Sequence, residues 1–136
     1  MTTDSIDLEL PAAPEFAGTA RIFAASVARQ FGAEEEAVAD VKVAVSEVCN
    51  FAIDSSDPDG GKVRISIRPV EGKLEFEIEA KAESLSESDY PEEDTFGNLG
   101  QGVVLGLFPD TTFTELGEHL VRTAFKVDLR SSGSSV

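Results

Sequence analysis

The chain has 136 residues, a formal net charge of −15 at pH 7 and a hydrophobic fraction of 41%. This length fits one domain with a substantial core, and this composition is typical of a folded chain. The negative charge disfavours nucleic acid and anionic membranes as direct partners, because binding to phosphates relies on clustered Lys and Arg. It favours encounters with basic protein surfaces, although it would equally serve solubility.

The N-terminal segment MTTDSIDLEL lacks the basic-then-apolar layout of a signal peptide. No apolar run approaches the roughly 20 residues of a membrane span. We therefore expect a cytoplasmic protein. The single cysteine, Cys49, falls on the apolar face of a predicted helix, so a disulfide within the chain is excluded and a place in the core is expected.

The first half of the chain predicts one strand and two helices. Alternating apolar residues at 6, 8 and 10 predict a half-buried strand that ends at Pro11. Apolar residues at helical spacing from Pro14 to Phe31 predict a first helix, which Gly32 ends. A longer helix is predicted over Glu34–Ile53, and the segment 55–61 then predicts a turn or loop.

The second helix has two apolar sides. Its main face repeats at three- and four-residue steps through Val38, Val41, Val45, Val48, Cys49 and Ala52. A second cluster lies about half a turn away and consists of Val43, Ala44, Glu47 and Phe51. A helix with two apolar sides is expected to pack on both. Glu47 would then be a mostly covered carboxylate, and hence a candidate functional group.

The second half predicts two hairpins around one short helix. Alternating segments at 62–68 and 73–79 predict a hairpin whose basic and acidic residues face each other on the solvent side. An acidic segment without periodicity, 82–97, predicts a flexible loop. A short helix follows, from Gly100 or Gly102 to Phe108. The segments Thr111–Leu116 and His119–Leu129 predict a closing hairpin with His119 on the surface.

This order predicts an α+β fold. It is a two-layer sandwich in which a five-stranded, mixed but mainly antiparallel sheet carries three helices on one face. We expect residues 1–130 to form a single domain and residues 131–136 to be a flexible tail.

Five segments carry a resemblance to a known family: IDLELPAAPEF, AVADVKVAVSEVC, the pair KVRISI and KLEFEIE, GNLGQGVVLGLF, and TAFKVDL. On these segments, which span nearly the whole chain, it resembles bacterial anti-sigma factors of the serine-kinase type. These belong to the ATPase superfamily that includes histidine kinases, gyrase and heat-shock chaperones. The central pattern D-h-K-h-A-V-S-E-h-C, with h apolar, is the most specific part.

The resemblance implies a histidine-kinase-like ATPase fold and a set of functional roles. In such proteins ATP lies between the sheet and the helices, and Mg²⁺ bridges its phosphates to an Asn on the central helix. A Glu four residues earlier acts as general base, and the product is a phosphoserine on an anti-anti-sigma factor. The free protein captures a sigma factor, and a homodimer is implied. On the SEVC run, Glu47 matches that base.

The chain departs from the family pattern at the nucleotide site. Phe51 stands where the metal-binding Asn belongs, and Asn50 is one residue early, about 100° away around the helix. Alignment on the strand KLEFEIE places the family's adenine-reading motif D-x-G-x-G on Ala80, Ala82 and Ser84. A slipped alignment that puts Glu79 or Glu83 at the Asp position still leaves the glycines missing. No metal ligand is therefore predicted.

The phosphate loop is only partly present. Gly97, Gly100 and Gly102 precede a predicted helix whose N-terminus could bind an anion, although such junctions are at least as common without a ligand. No Lys or Arg occurs between Lys81 and Arg122. A triphosphate would therefore meet a negative field without a basic side chain to offset it.

These departures favour an anti-sigma factor that sequesters a sigma factor, is released by an anti-anti-sigma factor, and uses no cofactor. The expected contacts are the acidic loop 83–94 and exposed parts of the first two helices. The alternative is a serine kinase that uses ATP and Mg²⁺, with Glu47 as base and Asn50, Gly97, Gly100 and Gly102 as candidate ligands for the cofactor. A third hypothesis is a decoy that binds only an anti-anti-sigma factor.

Overall fold

The computed structural model describes residues 5–55, 61–81, 99–117 and 120–129. Each predicted helix and strand is confirmed, with ends that differ from the prediction by a few residues. A 3₁₀ turn at Pro14–Phe16 precedes the first α-helix. The elements are β1 (Ile6–Pro11), α1 (Ala17–Gln30), α2 (Glu35–Ser55), β2 (Lys62–Val70), β3 (Lys73–Lys81), α3 (Leu99–Leu107), β4 (Thr112–Gly117) and β5 (Leu120–Asp128).

The five strands form one sheet in the order β1-β2-β3-β5-β4. All four neighbouring pairs are antiparallel. The prediction of a mixed sheet is therefore wrong in this respect, because the sheet is fully antiparallel in the described pairs. The physical reason is the position of the closing hairpin. β4 runs in the same direction as β3, but β5 pairs with β3 and separates the two. The predicted α+β architecture with five strands and three helices is confirmed.

One face of the sheet is covered by the helices and supplies the core. Side chains alternate along β2 and β3, and the inward ones are 0–5% exposed: Val63, Ile65, Ile67, Leu74, Phe76, Ile78 and Ala80. At one end three aromatic rings stack. Phe125 lies 5.1 Å from Phe76 and 4.5 Å from Phe108, measured between ring centroids. This stack holds the segment after α3 against the sheet.

Two turns need residues with positive φ. Gly32 has a φ of 93° and follows α1, where its N–H donates to the carbonyl of Arg29 over 3.0 Å. A glycine adopts this conformation without steric cost, so the chain reverses there and α2 lies beside α1. Glu71 (φ 46°) and Gly72 (φ 84°) form the two-residue turn between β2 and β3. Two positive φ values are what a type I′ hairpin turn requires.

The main face of α2 is buried as predicted, whereas the second face is only partly covered. Val45 and Ala44 are 0% exposed, but Val43 is 43% exposed. Val43 lies about 160° around the helix from Val45, on the side that faces away from the sheet. Because the helices form a single layer, none of the described elements covers that side. The expectation that α2 packs on both faces is therefore wrong at Val43.

Several predicted features lie outside the described residues. They are most of the turn at 55–61, the acidic loop 82–97 with its proposed contact segment 83–94, His119 and the tail 131–136. Across 5–55, 61–81, 99–117 and 120–129, no helix has both the length and the apolar character needed to cross a membrane.

Candidate functional site

Glu47 lies on α2 with part of its side chain in solvent. It is half-buried, and among the described residues its carboxylate has no hydrogen bond or ion pair. The preceding residue, Ser46, accepts a hydrogen bond from Arg21 of α1, with Nη1 and Oγ 3.3 Å apart. This contact was not predicted from the sequence, although Arg21 is one of the two basic residues in the alanine-rich α1. Ser46 therefore faces α1, and Glu47 projects about 100° further round.

The residues after Glu47 do not complete a metal site. Asn50 is exposed, about 60° round α2 from Glu47. Phe51 occupies the position one turn after Glu47, and its ring would offer Mg²⁺ no oxygen ligand. Among the residues that the structure describes, no group of three or more His, Cys, Asp or Glu side chains could hold a metal ion.

Ala80 stands at the position that the resemblance aligns with the adenine-reading Asp. This residue is 5% exposed and pairs with Val63 on β2 and Val121 on β5. Its methyl group neither donates nor accepts a hydrogen bond, and it packs in the core. The other two aligned positions, Ala82 and Ser84, lie outside the described residues. At the one position that can be located, a side chain able to read an adenine amino group is absent.

The glycines assigned to phosphate binding lie differently from the prediction. α3 begins at Leu99, so Gly100 and Gly102 are inside its first turn instead of in a loop before it. The helix extends further back because the apolar run already begins at Leu99. Backbone N–H groups of a first turn have no partner within the helix, so an anion could still bind there. Gly97 lies outside the described residues, and its role stays a prediction.

Cys49 has a structural role. It is 3% exposed, and this burial raises the pKa of its thiol to about 11, although the nearby Arg21 opposes the shift. A thiol with such a pKa stays protonated at neutral pH and is a weak nucleophile. The predicted place of Cys49 in the core is confirmed.

The described residues also line a cavity of about 690 Å³ at the other end of α2. Its lining includes Ala37, Phe108, Thr112 and residues 124–128 of β5. Ala37 precedes Glu47 by ten residues, which corresponds to about 15 Å along a helix. This cavity is therefore distinct from the surroundings of Glu47.

Comparison with known proteins places this chain in a family. The family model of the histidine kinase-like ATPase domain matches residues 10–124. The chain therefore belongs to the histidine kinase-like ATPase family. Within it, the chain is similar to proteins named serine-protein kinase RsbW, so the resemblance seen in the sequence is confirmed.

Three of these relatives illustrate the similarity. The RsbW of Bacillus pumilus is 32% identical over 120 residues, which cover 79% of this chain and 72% of that protein. The RsbW of Bacillus subtilis is 30% identical over 116 residues, which cover 77% and 71%. The RsbW of Oceanobacillus iheyensis is 35% identical over 83 residues, which cover 60% of this chain and 52% of that protein. The matched segment thus spans about half the length of the last relative.

Solved structures show the same fold. The RsbU and RsbW domains of Rv1364c from Mycobacterium tuberculosis match with a TM-score of 0.67 at 16% identity, over 93% of this chain and 33% of that chain. The catalytic domain of the histidine kinase ThkA matches with a TM-score of 0.52 at 15% identity, over 94% of this chain and 97% of that chain. At these identities the likeness establishes the architecture alone.

Proposed function

We propose that this protein is an anti-sigma factor that sequesters a sigma factor without ATP-dependent kinase activity. The proposal rests on the identity of the residue one turn after Glu47. An apolar Phe51 stands at the position from which a metal ligand would have to project. Without that ligand, no metal ion would be held beside Glu47 to orient the triphosphate toward the serine.

The remainder of the nucleotide site supports the same proposal. The methyl group of Ala80 replaces a carboxylate that would read adenine, and it is packed between two strands. No Lys or Arg occurs from residue 82 to residue 121, so α3 and β4 contribute no positive charge toward a triphosphate. Unpaired like charges at short range cost on the order of 1 kcal/mol each, even when partly solvated.

Sigma-factor binding is supported by the resemblance and by the distribution of charge. From the 3₁₀ turn through α1 and the first half of α2, acids outnumber bases. The acids are Glu15, Glu34, Glu35, Glu36 and Asp40, against Arg21, Arg29 and Lys42. An acidic layer attracts the basic surface with which a sigma factor contacts DNA, and it can compete with the nucleic acid for that surface.

The partners follow from this role. A sigma factor would be the bound partner, and an anti-anti-sigma factor would release it by competing for the same protein. Both act where transcription takes place, so we assign the protein to the cytoplasm. No cofactor is required for either association.

A direct experiment tests the proposal. The purified protein, free of nucleotide, is immobilised and challenged with each sigma factor of its own organism. Retention of one sigma factor, together with loss of transcription from promoters of that sigma factor in a purified system, is the expected result. If no sigma factor is retained, the proposed function is wrong. Challenge with anti-anti-sigma candidates distinguishes a decoy, which would retain only those.

The second candidate function is a serine kinase. It is favoured by the name of the relatives and by the carboxylate of Glu47, which has no partner among the described residues. Gly100 and Gly102 in the first turn of α3 would then contact phosphate, with ATP and Mg²⁺ as cofactors. Titration calorimetry with Mg-ATP separates the two functions. Micromolar binding, with serine phosphorylation that Glu47→Ala abolishes, would establish the kinase.

A further inference from the structure

β5 is longer than its neighbour β4. The pairing between them begins with Thr112 opposite Ala124, so no described residue of β4 lies opposite the segment 125–128. The same segment is paired on its other side, where it faces residues 73–76 of β3. Among the described residues, β5 therefore has an open edge four residues long.

Two residues direct their backbone groups to this open edge. Leu129, directly after β5, donates its N–H to the carbonyl of Gly72, on the β3 side. Backbone groups of successive residues in an antiparallel strand point to opposite sides. Lys126 and Asp128 therefore direct their N–H and C=O groups away from β3, to the side that β4 does not reach. Such unpaired groups are a template for another strand.

The cavity of about 690 Å³ adjoins this edge and has walls from both sides of the sheet. The helix side contributes Ala37, Leu107 and Phe108, and the open face contributes Lys73, Glu75 and Lys126. Its volume falls within the range of about 300–1,000 Å³ that is typical of ligand pockets. A strand placed along the edge would direct alternate side chains to the apolar helix side and to the charged open face.

The charges on the open face alternate from strand to strand beside this edge. Arg68 of β2 lies opposite Glu75 of β3, which lies opposite Lys126 of β5, and in the next row Lys73 lies opposite Asp128. Arg68 pairs with Glu75 over 2.9 Å, and Lys73 pairs with Asp128 over 2.5 Å. Lys126 has no ion-pair partner among the described residues. The next strand would continue the alternation with an acid opposite Lys126 and a base opposite Asp128.

We propose that this edge binds an extended segment of another protein, with the sequence base–apolar–acid, as an added antiparallel strand. The base faces Asp128, the apolar residue lies beside Val127, and the acid faces Lys126. The apolar side chain points to the helix side, toward Ala37 and Phe108. Backbone hydrogen bonds at the base and the acid supply affinity, and the alternate side chains supply specificity.

The charges around the edge favour a segment of mixed charge over a strongly acidic or basic one. The charged residues that line the cavity are Lys73 and Lys126, against Glu75, Asp110 and Asp128. A polyacidic segment would also be repelled by a chain with a net charge of −15. This surface is separate from the acidic helical layer to which we assign the basic surface of a sigma factor, so it adds a second site for a partner.

A labelled peptide with the central sequence Lys-Val-Glu tests the proposal, with fluorescence anisotropy as the readout. The peptide Glu-Val-Lys has the same composition but places like charges opposite each other in an antiparallel strand, so it should bind at least about tenfold more weakly. Lys126→Glu should weaken binding of Lys-Val-Glu by about tenfold, and a Lys-Val-Lys peptide should bind this variant more tightly than it binds the unmodified protein.

Lys62→Glu is the matched control, because it changes the net charge equally. Lys62 is an exposed cation on β2, where it pairs with Pro11, away from this edge. Its replacement should leave the affinity for Lys-Val-Glu unchanged, and circular dichroism should show that both variants are folded.

Amide hydrogen exchange, measured by NMR, locates the bound peptide. With saturating Lys-Val-Glu peptide, the amides of Lys126 and Asp128 should exchange at least about tenfold more slowly, because they gain hydrogen bonds. By the same alternation Phe125 and Val127 already bond toward β3, so their exchange should change much less.

Four results would overturn the proposal. They are no binding of Lys-Val-Glu at millimolar concentration, an affinity that Lys126→Glu leaves unchanged, and a preference for Glu-Val-Lys, which would indicate a parallel strand. The fourth is slow exchange of the Lys126 and Asp128 amides without peptide, because another part of this chain or a second copy would then occupy the edge. None of these results depends on sigma-factor binding.

Discussion

Arg21 on α1 donates a hydrogen bond to the hydroxyl of Ser46 on α2, with 3.3 Å between the two atoms. This contact links the helices in the segment where Cys49 is buried and where Glu47 reaches the surface. The rotation of α2 about its axis follows from this contact and from the valines that face the sheet. The position of Glu47 is therefore accounted for by packing, without reference to a nucleotide.

The rotation of α2 can be tested with two valines on the same helix. Val45→Ala removes two methyl groups from a fully buried site and should lower the free energy of unfolding by about 2 kcal/mol. Val43 is 43% exposed, so Val43→Ala should change it by less than about 0.5 kcal/mol. Urea denaturation followed by circular dichroism measures both. Equal losses would show that the second face of α2 is covered after all.

The contact of Arg21 should stabilise the helix pair. Arg21→Ala is expected to lower the free energy of unfolding by about 1 kcal/mol, because a partly buried hydrogen bond is lost. Arg29 supplies the control, since it pairs with Glu35 at an exposed turn. Such exposed pairs contribute about 0–1 kcal/mol, so Arg29→Ala should cost less, and its cost should fall with added salt. A larger loss for Arg29→Ala would contradict this assignment.

The buried thiol of Cys49 should make the stability of the protein fall at alkaline pH. In the folded protein burial raises its pKa to about 11, from 9.0 for an exposed thiol. The unfolded chain therefore loses this proton first as the pH rises. The contribution to stability is complete below pH 9 and is lost as the pH rises toward about 11. Its full size is about 2 to 3 kcal/mol.

The comparison with Cys49→Ala isolates this contribution from other groups that titrate in the same range. The difference in unfolding free energy between the two proteins should decrease from pH 8.5 to pH 11, by roughly the amount given above. Chemical denaturation at several pH values measures it. A difference that is constant with pH would mean that the thiol is not shielded from water in the folded protein.

Glu47 should be dispensable for binding a sigma factor. Glu47→Ala removes a half-buried carboxylate that has no partner among the described residues, so stability should change by less than about 1 kcal/mol. The dissociation constant for the sigma factor should stay within about threefold, which corresponds to less than 1 kcal/mol. Val43→Ala, on the same side of α2, is a control for local changes in the surface. A large loss of affinity for Glu47→Ala alone would place this carboxylate in the interface.

Much of the fold was predictable because the hydrophobic patterns are strong. The alternation along 62–79 predicted which side chains face the core, and the valines of α2 predicted its buried side. Gly32 predicted the end of α1, since its positive φ is needed there. The sheet was expected to be mixed, and it is antiparallel in every described pair. Strand order depends on contacts between distant segments, which local patterns do not contain.

The site was harder to predict than the fold. That Phe51 follows Glu47 by one turn can be read from the sequence, because helical spacing alone determines which residue stands there. The exposure of Val43 was not visible, because it depends on whether a further layer covers the helices. The contact between Arg21 and Ser46 joins residues 25 positions apart, and nothing local to either residue predicts it.

The most direct test of nucleotide-independent sigma-factor binding is a calorimetric titration of the cognate sigma factor into the protein, without nucleotide and again with saturating Mg-ATP. We expect binding in both cases, with dissociation constants that agree within about twofold, a difference below 1 kcal/mol. We also expect no heat when Mg-ATP is titrated alone. Binding that appears only with Mg-ATP would contradict the central claim that this protein captures its partner without a nucleotide.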